Sequence, residues 1–314
     1  MTEGTVAAMI AHGTERLRGA AGAAARLEAE VLLAHEAGVS REWLMARPEV
    51  TPASRVVCRY ARTIERRRTT RIPVAYLTGG KEFAGLPFAM RSGVFIPRPE
   101  TEGLLELVET WLRPRLPLVP GEVVVDACTG SGVLAVALAR RLGVRVFATD
   151  RSRSAVALTR HNARRLGVAH LVRAVRGDGI APLSPSFQAA AVVANPPYVR
   201  DALWTRLPRT IRDHEPRGAL LAGPDGLRVV RKLLGQARVR MAAGGLVAIE
   251  IAPGQRRAVV AMLSRSPWTD GRVEADLTGR IRYAVAVNKG RFQAPGGDFG
   301  PPLRGRASVD RVQA

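Results

Sequence analysis

"VVVDACTGSGVLAVALA", residues 123–139, decides the architecture of this chain. The apolar run 123–125 reads as a buried strand that ends at Asp126, and apolar residues repeat at helical spacing from Val133 onward. Between them lies a turn of small residues, Cys128, Thr129, Gly130, Ser131 and Gly132. A strand, a small-residue turn and a helix in that order open a βα unit, and such a turn lets backbone approach a nucleotide-like ligand closely. Two common phosphate-binding patterns are absent. Cys128 stands where G-x-G-x-x-G needs its first glycine, and no lysine follows as in a P-loop.

Working outward, helix and strand alternate. "TEGLLELVETWL" reads as helix, "EVVVDA" as strand, "GVLAVALARRLG" as helix, "VRVFATD" as strand and "SRSAVALTRHNARRLG" as helix. "FQAAAVVA", "GLVAIEIA" and "RYAVAVN" read as further strands. This alternation predicts an α/β domain with a mostly parallel sheet and ligands at the carboxyl ends of its strands.

Those strand ends carry polar residues in sequence. Asp150 closes the second strand eighteen residues after Gly132, where a carboxylate can accept hydrogen bonds from ribose hydroxyls. It could instead cap the helix that begins near Ser152. Asp178 and Gly179, in "VRGDGI", close the third, suited either to an adenine amino group or to a plain Asp-Gly turn. The fourth ends in "VVANPPYV", residues 192–199. Pro196 has no amide hydrogen and Pro197 forces extended backbone before it, so the turn is stiff and presents the Asn195 amide and carbonyl oxygens outward.

Residues 1–71 read as a small helical domain. "ARLEAEVLLAHEAG" places Leu27, Val31 and Ala34 on one face and stops at Gly38, Ser40 caps "REWLMA", and Thr51 with Pro52 starts a helix that repeats Ala53, Val56, Tyr60 and Ile64. Residues 72–96 read as a β-hairpin linker of short extended pieces turning at Gly79 and Gly80. The catalytic-type domain spans 97–288, and 289–314, rich in Gly, Pro and Arg, reads as a disordered tail.

Composition narrows the class. At 314 residues and 46% hydrophobic, the chain can build two cores, and no apolar run nears the roughly 20 residues of a membrane span. Cys58 and Cys128 are the only cysteines, and no His/Cys cluster has metal-ligand spacing, so neither a disulfide framework nor a metal centre is expected. The net charge of +21 invites a nucleic-acid reading. Only Lys81, Lys232 and Lys289 among 48 basic residues are lysine, however, and the charge is spread along the chain as solvated helix faces. The chain is expected to work as a cytoplasmic monomer.

The order of strand ends, closing on Asn195-Pro196-Pro197-Tyr198, resembles the Rossmann-like class I methyltransferases that act on planar amino or amide nitrogens. "GVFIPRPETE" (93–102), "HEPRGALLAGPDGL" (214–227), "IEIAPGQ" (249–255) and "DLTGRIR" (276–282) narrow the likeness. Together they resemble the HemK/PrmC family, protein-(glutamine-N5) methyltransferases of peptide chain release factors, up to residue 288. In that family the position of Cys128 is commonly glycine.

The resemblance implies S-adenosyl-L-methionine as cofactor, with Asp126 and residues 128–132 at its methionine end, Asp150 at the ribose, and Asp178 with Gly179 at the adenine. It implies a release-factor glutamine from a Gly-Gly-Gln loop as substrate. Asn195 Oδ1 and the Pro196 carbonyl would accept the two amide N–H groups while Tyr198 packs on the amide plane. Asn195 then borders the cofactor as well as the substrate. Pro97, Arg98, Glu100 and Pro197 would border the substrate pocket, Glu215 and Glu250 would pair with arginines, and Trp204 reads as a core anchor before a cover for that pocket. His161 and His214 read as surface or packing residues. The rivals are an N6-adenine methyltransferase of DNA or RNA with the same Asn-Pro-Pro-Tyr site, a paralogue acting on another protein glutamine, and an inactive cofactor-binding partner protein. The helical front and residues 97–102 favour a protein substrate, without a stable nucleic-acid or membrane partner.

Overall fold

The computed structural model describes residues 4–184, 187–265, 267–289 and 308–311. The chain divides into two compact units, one of Met1–Lys81 with Met90–Ser92 and Pro208–His214, the other of Glu82–Ala89, Gly93–Leu207 and Glu215 onward.

The first unit is helical: α1 (Val6–Ala21), α2 (Ala25–Ala37), α3 (Arg41–Met45), α4 (Ser54–Thr70) and α5 (Val74–Thr78). Thr5 and Ser40 accept from the Ala8 and Trp43 amides and so cap α1 and α3, while Gly38 ends α2 in the left-handed region. One core joins Leu17 of α1, Leu32 and Leu33 of α2, Leu44 of α3 and Val56, Tyr60 and Ile64 of α4. Three details differ from the sequence reading. Leu27 is 48% exposed, because Ala25, Ala29, Leu32 and Leu33 face inward and Leu27 lies about 200° around the helix from Ala25. Helix α4 begins at Ser54 instead of Pro52, since the Val56 amide closes the first turn on the Ala53 carbonyl. After Pro73 the chain makes a helical turn, α5, where extended backbone was expected.

The hairpin exists but turns elsewhere. Strands β1 (Gly80–Phe83) and β2 (Leu86–Ala89) are joined through Ala84 and Gly85, both at positive φ, which matches the twist that two-residue hairpin loops require.

In the second unit α6 (Glu100–Leu112) precedes β3 (Glu122–Ala127), α7 (Val133–Leu142), β4 (Val146–Asp150), α8 (Arg153–Arg165), β5 (Val172–Arg176) and β6 (Gln188–Ala194). The short α9 (Arg209–Arg212) lies in the segment that belongs to the helical unit. Then come α10 (Arg228–Ala237), β7 (Met241–Glu250), α11 (Arg256–Leu263), β8 (Trp268–Ala275), β9 (Ile281–Asn288) and β10 (Ser308–Arg311). The sheet order is β10-β8-β9-β7-β6-β3-β4-β5, parallel from β5 across to β7 and antiparallel beyond it.

Central strands such as β3 and β6 are buried on both faces, which explains their unbroken apolar runs. Strand β8 was not anticipated, because Asp270, Gly271, Arg272 and Glu274 interrupt its hydrophobic pattern. Of the expected tail, residues 290–307 and 312–314 lie outside the described residues, and Ser308–Arg311 covers the edge of β8. Among the described residues no helix is long and apolar enough to cross a membrane.

Within the helical unit Arg67 is 3% exposed and grips Glu28 bidentately, Nε to Oε2 at 2.8 Å and a terminal nitrogen to Oε1 at 2.9 Å. Removing the acid strands a buried cation, which costs about 3–5 kcal/mol, whereas a solvent-screened exposed pair such as Glu65 with Arg68 contributes far less. Glu28→Ala should therefore lower the urea midpoint of the helical unit far more than Glu65→Ala, and equal shifts would contradict the burial argument.

Candidate active site

Strand order reverses between β3 and β6, the position where a doubly wound sheet opens a crevice at its carboxyl edge. Asp126 is in register with Val193 and Ala127 with Ala194, so the turn beginning at Cys128 and the turn beginning at Asn195 leave the sheet side by side.

Asp126 is 1% exposed. Its Oδ2 accepts from Thr129 Oγ1 at 2.6 Å and from the Ala135 amide at 3.0 Å, which ties the end of β3 to the first turn of α7. Its Oδ1 has no hydrogen-bond partner among the described residues. An orphaned buried carboxyl oxygen is costly, and this one stands at a strand end beside the open Gly130 turn. Burial, opposed by the Thr129 and Ala135 bonds and helped by the nearby Asp150 charge, pushes its carboxyl up to about 7.

Asp150 holds the same turn from the next strand. Its Oδ2 accepts from the Gly130 amide at 3.0 Å and its Oδ1 from the Ser152 amide at 2.8 Å, while the Ser152 side chain caps α8. Burial raises the Asp150 pKa against these bonds. The capping reading of Asp150 is therefore corrected: Ser152 is the N-cap of α8, and Asp150 bonds to the Ser152 amide just ahead of it while holding the Gly130 turn.

Cys128 has φ +60°, in the left-handed region that a non-glycine residue enters at a cost of about 1–2 kcal/mol. That conformation is the physical reason for a glycine preference here. Ser131 and Thr129 are buried, and the Ser131 carbonyl accepts from Asn162 Nδ2 at 2.9 Å.

Asp178 stands apart from this cluster in its bonding. Its side chain pairs with Lys232 at 2.6 Å and lies 3.9 Å from Arg151, half exposed. Gly179 is buried, its carbonyl accepting from Thr149 Oγ1 at 2.7 Å, and a Cβ there would strike Gln236 Oε1 at 2.1 Å.

The Asn195 turn is braced from three directions. Asn195 Nδ2 donates to Thr101 Oγ1 at 2.9 Å, and Thr101 Oγ1 donates to Glu250 Oε2 at 2.8 Å. Asn195 Oδ1 has no hydrogen-bond partner among the described residues, so the amide's acceptor end is available. The Tyr198 carbonyl accepts from Gln255 Nε2 at 3.3 Å, and the same amide nitrogen donates to the Gly226 carbonyl at 2.9 Å. A Cβ at Gly226, which has φ +75°, would come within 2.3 Å of the Tyr198 carbonyl oxygen, so only glycine allows this approach. Val199 exchanges backbone hydrogen bonds with Leu220 and Ala222. Pro196 is buried, while Pro197 and Tyr198 are half-buried, and burial pushes the Tyr198 phenol up to about 12.

The stretch 97–102 is fixed by acids from elsewhere in the chain. Glu215, 5% exposed, accepts from the Ile96 amide at 3.2 Å and from Arg98 at 2.5 Å. Arg282 spans Asp276 (3.1 Å) and Glu100 (3.4 Å), and the Tyr283 hydroxyl donates to the Glu100 carbonyl at 2.6 Å. Pro97 is buried beside them in sequence. Glu215 thus pairs with an arginine as expected, whereas Glu250 bonds to Thr101 instead. Trp204 is no core anchor. It is half-buried, with the Arg217 guanidinium 5.3 Å from its ring centre. His214 has a ring nitrogen 2.6 Å from the Thr70 carbonyl. Among the described residues no group of three or more His, Cys, Asp or Glu side chains could hold a metal ion.

Thr101, Gln255 and Gly226 were not singled out from the sequence, although all three lie in quoted motifs. The signal available was position, because each sits at a strand end, a helix start or a turn that the sheet topology gathers at one edge.

The doubly wound order, the small-residue turn and the orphaned acid at its head define a methyltransferase-type domain. In accord with this, the family model described as "Methyltransferase small domain" matches residues 88–208, and the "PrmC N-terminal domain" model matches 8–79. The release factor glutamine methyltransferase of Moorella thermoacetica is 40% identical over 266 residues, 84% of this chain and 92% of the relative. That of Nitratidesulfovibrio vulgaris is 36% identical over 289 residues, 90% and 95% of the two chains. That of Mycolicibacterium smegmatis is 37% identical over 283 residues, 88% and 96%. The chain belongs to the release factor glutamine methyltransferase family.

The raised Asp126 pKa has a stability consequence of definite sign. The folded protein keeps a proton up to about pH 7 that the unfolded chain releases near the ordinary value of 3.8, so this group lowers stability as pH rises from about 4 to 7, after which the loss levels off. Urea unfolding of Asp126→Asn against the parent at pH 5 and pH 8 should move in the variant's favour at the higher pH. No difference between the two pH values would show that the carboxylate is already ionised in the folded state at pH 5.

Proposed function

We propose that this protein transfers the methyl group of S-adenosylmethionine to the side-chain amide nitrogen of a glutamine in a peptide chain release factor, at the Gly-Gly-Gln loop. The observation that carries the reading is Asn195: its Nδ2 is committed to Thr101 and its Oδ1 is left as an unpartnered acceptor beside the β3 turn.

The residues fit the cofactor. Asp126 offers a buried oxygen without a donor, Asp150 holds the Gly130 amide in a turn with open space over it, and the Cys128 backbone conformation keeps that turn tight. In this assignment Asp126 with Cys128, Thr129, Gly130, Ser131 and Gly132 holds the methionine end, and Asp150 the ribose hydroxyls. Asp178 and Gly179 flank the adenine; because Lys232 already engages the Asp178 carboxylate, backbone carries more of that contact. Bound there, S-adenosylmethionine supplies a methyl group on a sulfonium, already activated for displacement.

An amide nitrogen is a poor nucleophile because its lone pair is delocalised into the carbonyl, so positioning is the protein's main contribution. Asn195 Oδ1 accepts one N–H of the glutamine amide and the Pro196 carbonyl accepts the other, which concentrates electron density on the nitrogen and fixes its direction. The Tyr198 ring lies on the amide plane. Its phenol stays protonated near neutral pH and serves as a surface, not a base. Pro197 stiffens the turn, and Pro97, Arg98 and Glu100, themselves fixed by Glu215 and Arg282, form the wall beside it. The nitrogen sheds its proton to solvent after transfer, so no general base is needed before attack.

Labelled cofactor incubated with release factor should label the protein, and a release factor with that glutamine changed to alanine should remain unlabelled. Label that persists on the altered factor, or that appears only on RNA or DNA, would overturn the reading.

Asn195→Ala should lower kcat by about 10²-fold or more while cofactor affinity changes only a few-fold. Near-parental turnover would remove Asn195 from the chemistry. Asp150→Ala, which takes acceptors from both turn and cofactor, should raise the cofactor Kd by about tenfold or more in calorimetry, and an unchanged Kd would exclude the ribose assignment.

A further inference from the structure

We propose that Thr101 and Glu250 are positioning residues forming a two-step hydrogen-bond relay that dictates which end of the Asn195 amide faces the substrate. The proposal rests on the glutamine-methylation reading above and assigns a duty to two side chains that touch neither substrate nor cofactor.

The two ends of a carboxamide have nearly the same shape, so packing cannot choose between them, and hydrogen-bond partners must. Thr101, in the first turn of α6, has a single hydroxyl proton. It is given to Glu250 Oε2 at 2.8 Å, and Glu250 is the last residue of β7, 1% exposed. An ionised carboxylate can only accept. With its proton spent, Thr101 Oγ1 can only accept in turn, so the group 2.9 Å away on Asn195 must be the donor Nδ2. The acceptor Oδ1 is thereby turned the other way, as recognition of an N–H₂ group requires. Residues 149 positions apart in sequence thus decide the polarity of a third.

The relay has a second state. A protonated Glu250 can donate to Thr101, which releases the threonine proton toward Asn195. Oδ1 can then occupy the Thr101 side while Nδ2 faces the glutamine nitrogen, donor against donor.

The surroundings of Glu250 hold that state within reach of neutral pH. Burial disfavours its charge most strongly. The Thr101 bond and the guanidiniums of Arg282 on β9 and Arg98 before α6 support the charge, and Glu100 on α6 opposes it, leaving the carboxyl raised to about 7. The Tyr198 phenol, whose own pKa the Glu250 charge raises, completes the facing groups. Asp126, raised to about 7 in the cofactor turn, titrates in the same range, so it is the loss of the acid limb in Glu250→Gln, and not the limb itself, that reports the relay.

The test has a kinetic and a spectroscopic arm on the full chain. In kinetics with release factor, the parent's kcat should fall about tenfold per pH unit below the Glu250 pKa. Glu250→Gln, which keeps an acceptor oxygen but has no proton to gain, should lose that limb. Thr101→Val should lower kcat about 10- to 100-fold with the cofactor Kd unchanged, and Thr101→Ser should recover most of the loss. In ¹⁵N–¹H spectra of the protein alone, the Asn195 side-chain amide pair, assigned by its absence in Asn195→Asp, should shift with pH in the parent. It should be pH-invariant in Glu250→Gln and displaced in Thr101→Val. A pair indifferent to pH in the parent and unmoved by Thr101→Val overturns the relay, as does a Thr101→Val kcat within twofold of the parent. Absence of any turnover on release factor would instead overturn the functional reading, and the spectra would still decide the relay.

Discussion

The reversal of strand order between β3 and β6 is the constraint on which the rest of the second unit depends. Parallel neighbours lie about 4.8 Å apart and end at the same edge, so the residues that follow them must diverge or share a ligand. Here they share. The turn after β3 bends back toward the end of β4 through Gly130 and Asp150, and the turn after β6 bends toward α6 through Asn195 and Thr101. Neither path could form if β6 paired anywhere else, because the register Ala127 with Ala194 is what sets the two turns abreast.

Around that edge the protein accepts local costs that a purely structural domain would avoid. Asp126 is buried with one oxygen unpartnered, Glu250 is buried without a full counter-ion, and Cys128 sits at positive φ. Departures of this kind from the rules of a stable core gather where a ligand or a reaction supplies the missing partner. The bracing network counters them with rigidity. Gln255 bonds the Tyr198 and Gly226 carbonyls together, Glu215 fastens Arg98 and the Ile96 amide, and Asp276 anchors Arg282 while also accepting from the Thr278 and Arg280 amides. Distant motifs thereby converge on one short turn.

Much of this was legible in the sequence because hydrophobic period and turn chemistry act locally. The strands around residues 123–127, 146–150 and 188–194 read correctly because burial on both faces writes an unbroken apolar run. Their polar ends read correctly because a strand rarely ends in Asn-Pro-Pro without a reason. What escaped depends on tertiary partners. Leu27 is apolar yet exposed because the phase of α2 is set by Leu32 and Leu33, and β8 is held in the sheet by its pairing with β9 despite a polar pattern. The Thr101–Glu250 pair was invisible for the same reason, since only the fold brings the start of α6 to the end of β7. Asp178 shows the same limit: its place just past a strand end was legible, but its pairing with Lys232 of α10 was not.

The two cysteines have opposite chemical fates. Cys58 lies exposed on α4 in the helical unit. Cys128 is partly covered, and burial, followed by the carboxylates of Asp150, Asp126 and Asp178, raises its thiol pKa well above the ordinary value and suppresses the thiolate that electrophiles attack. A maleimide fluorophore will therefore couple to the helical unit alone. The native chain thus carries, on its helical unit, a ready attachment point for following macromolecular docking by fluorescence anisotropy without engineering.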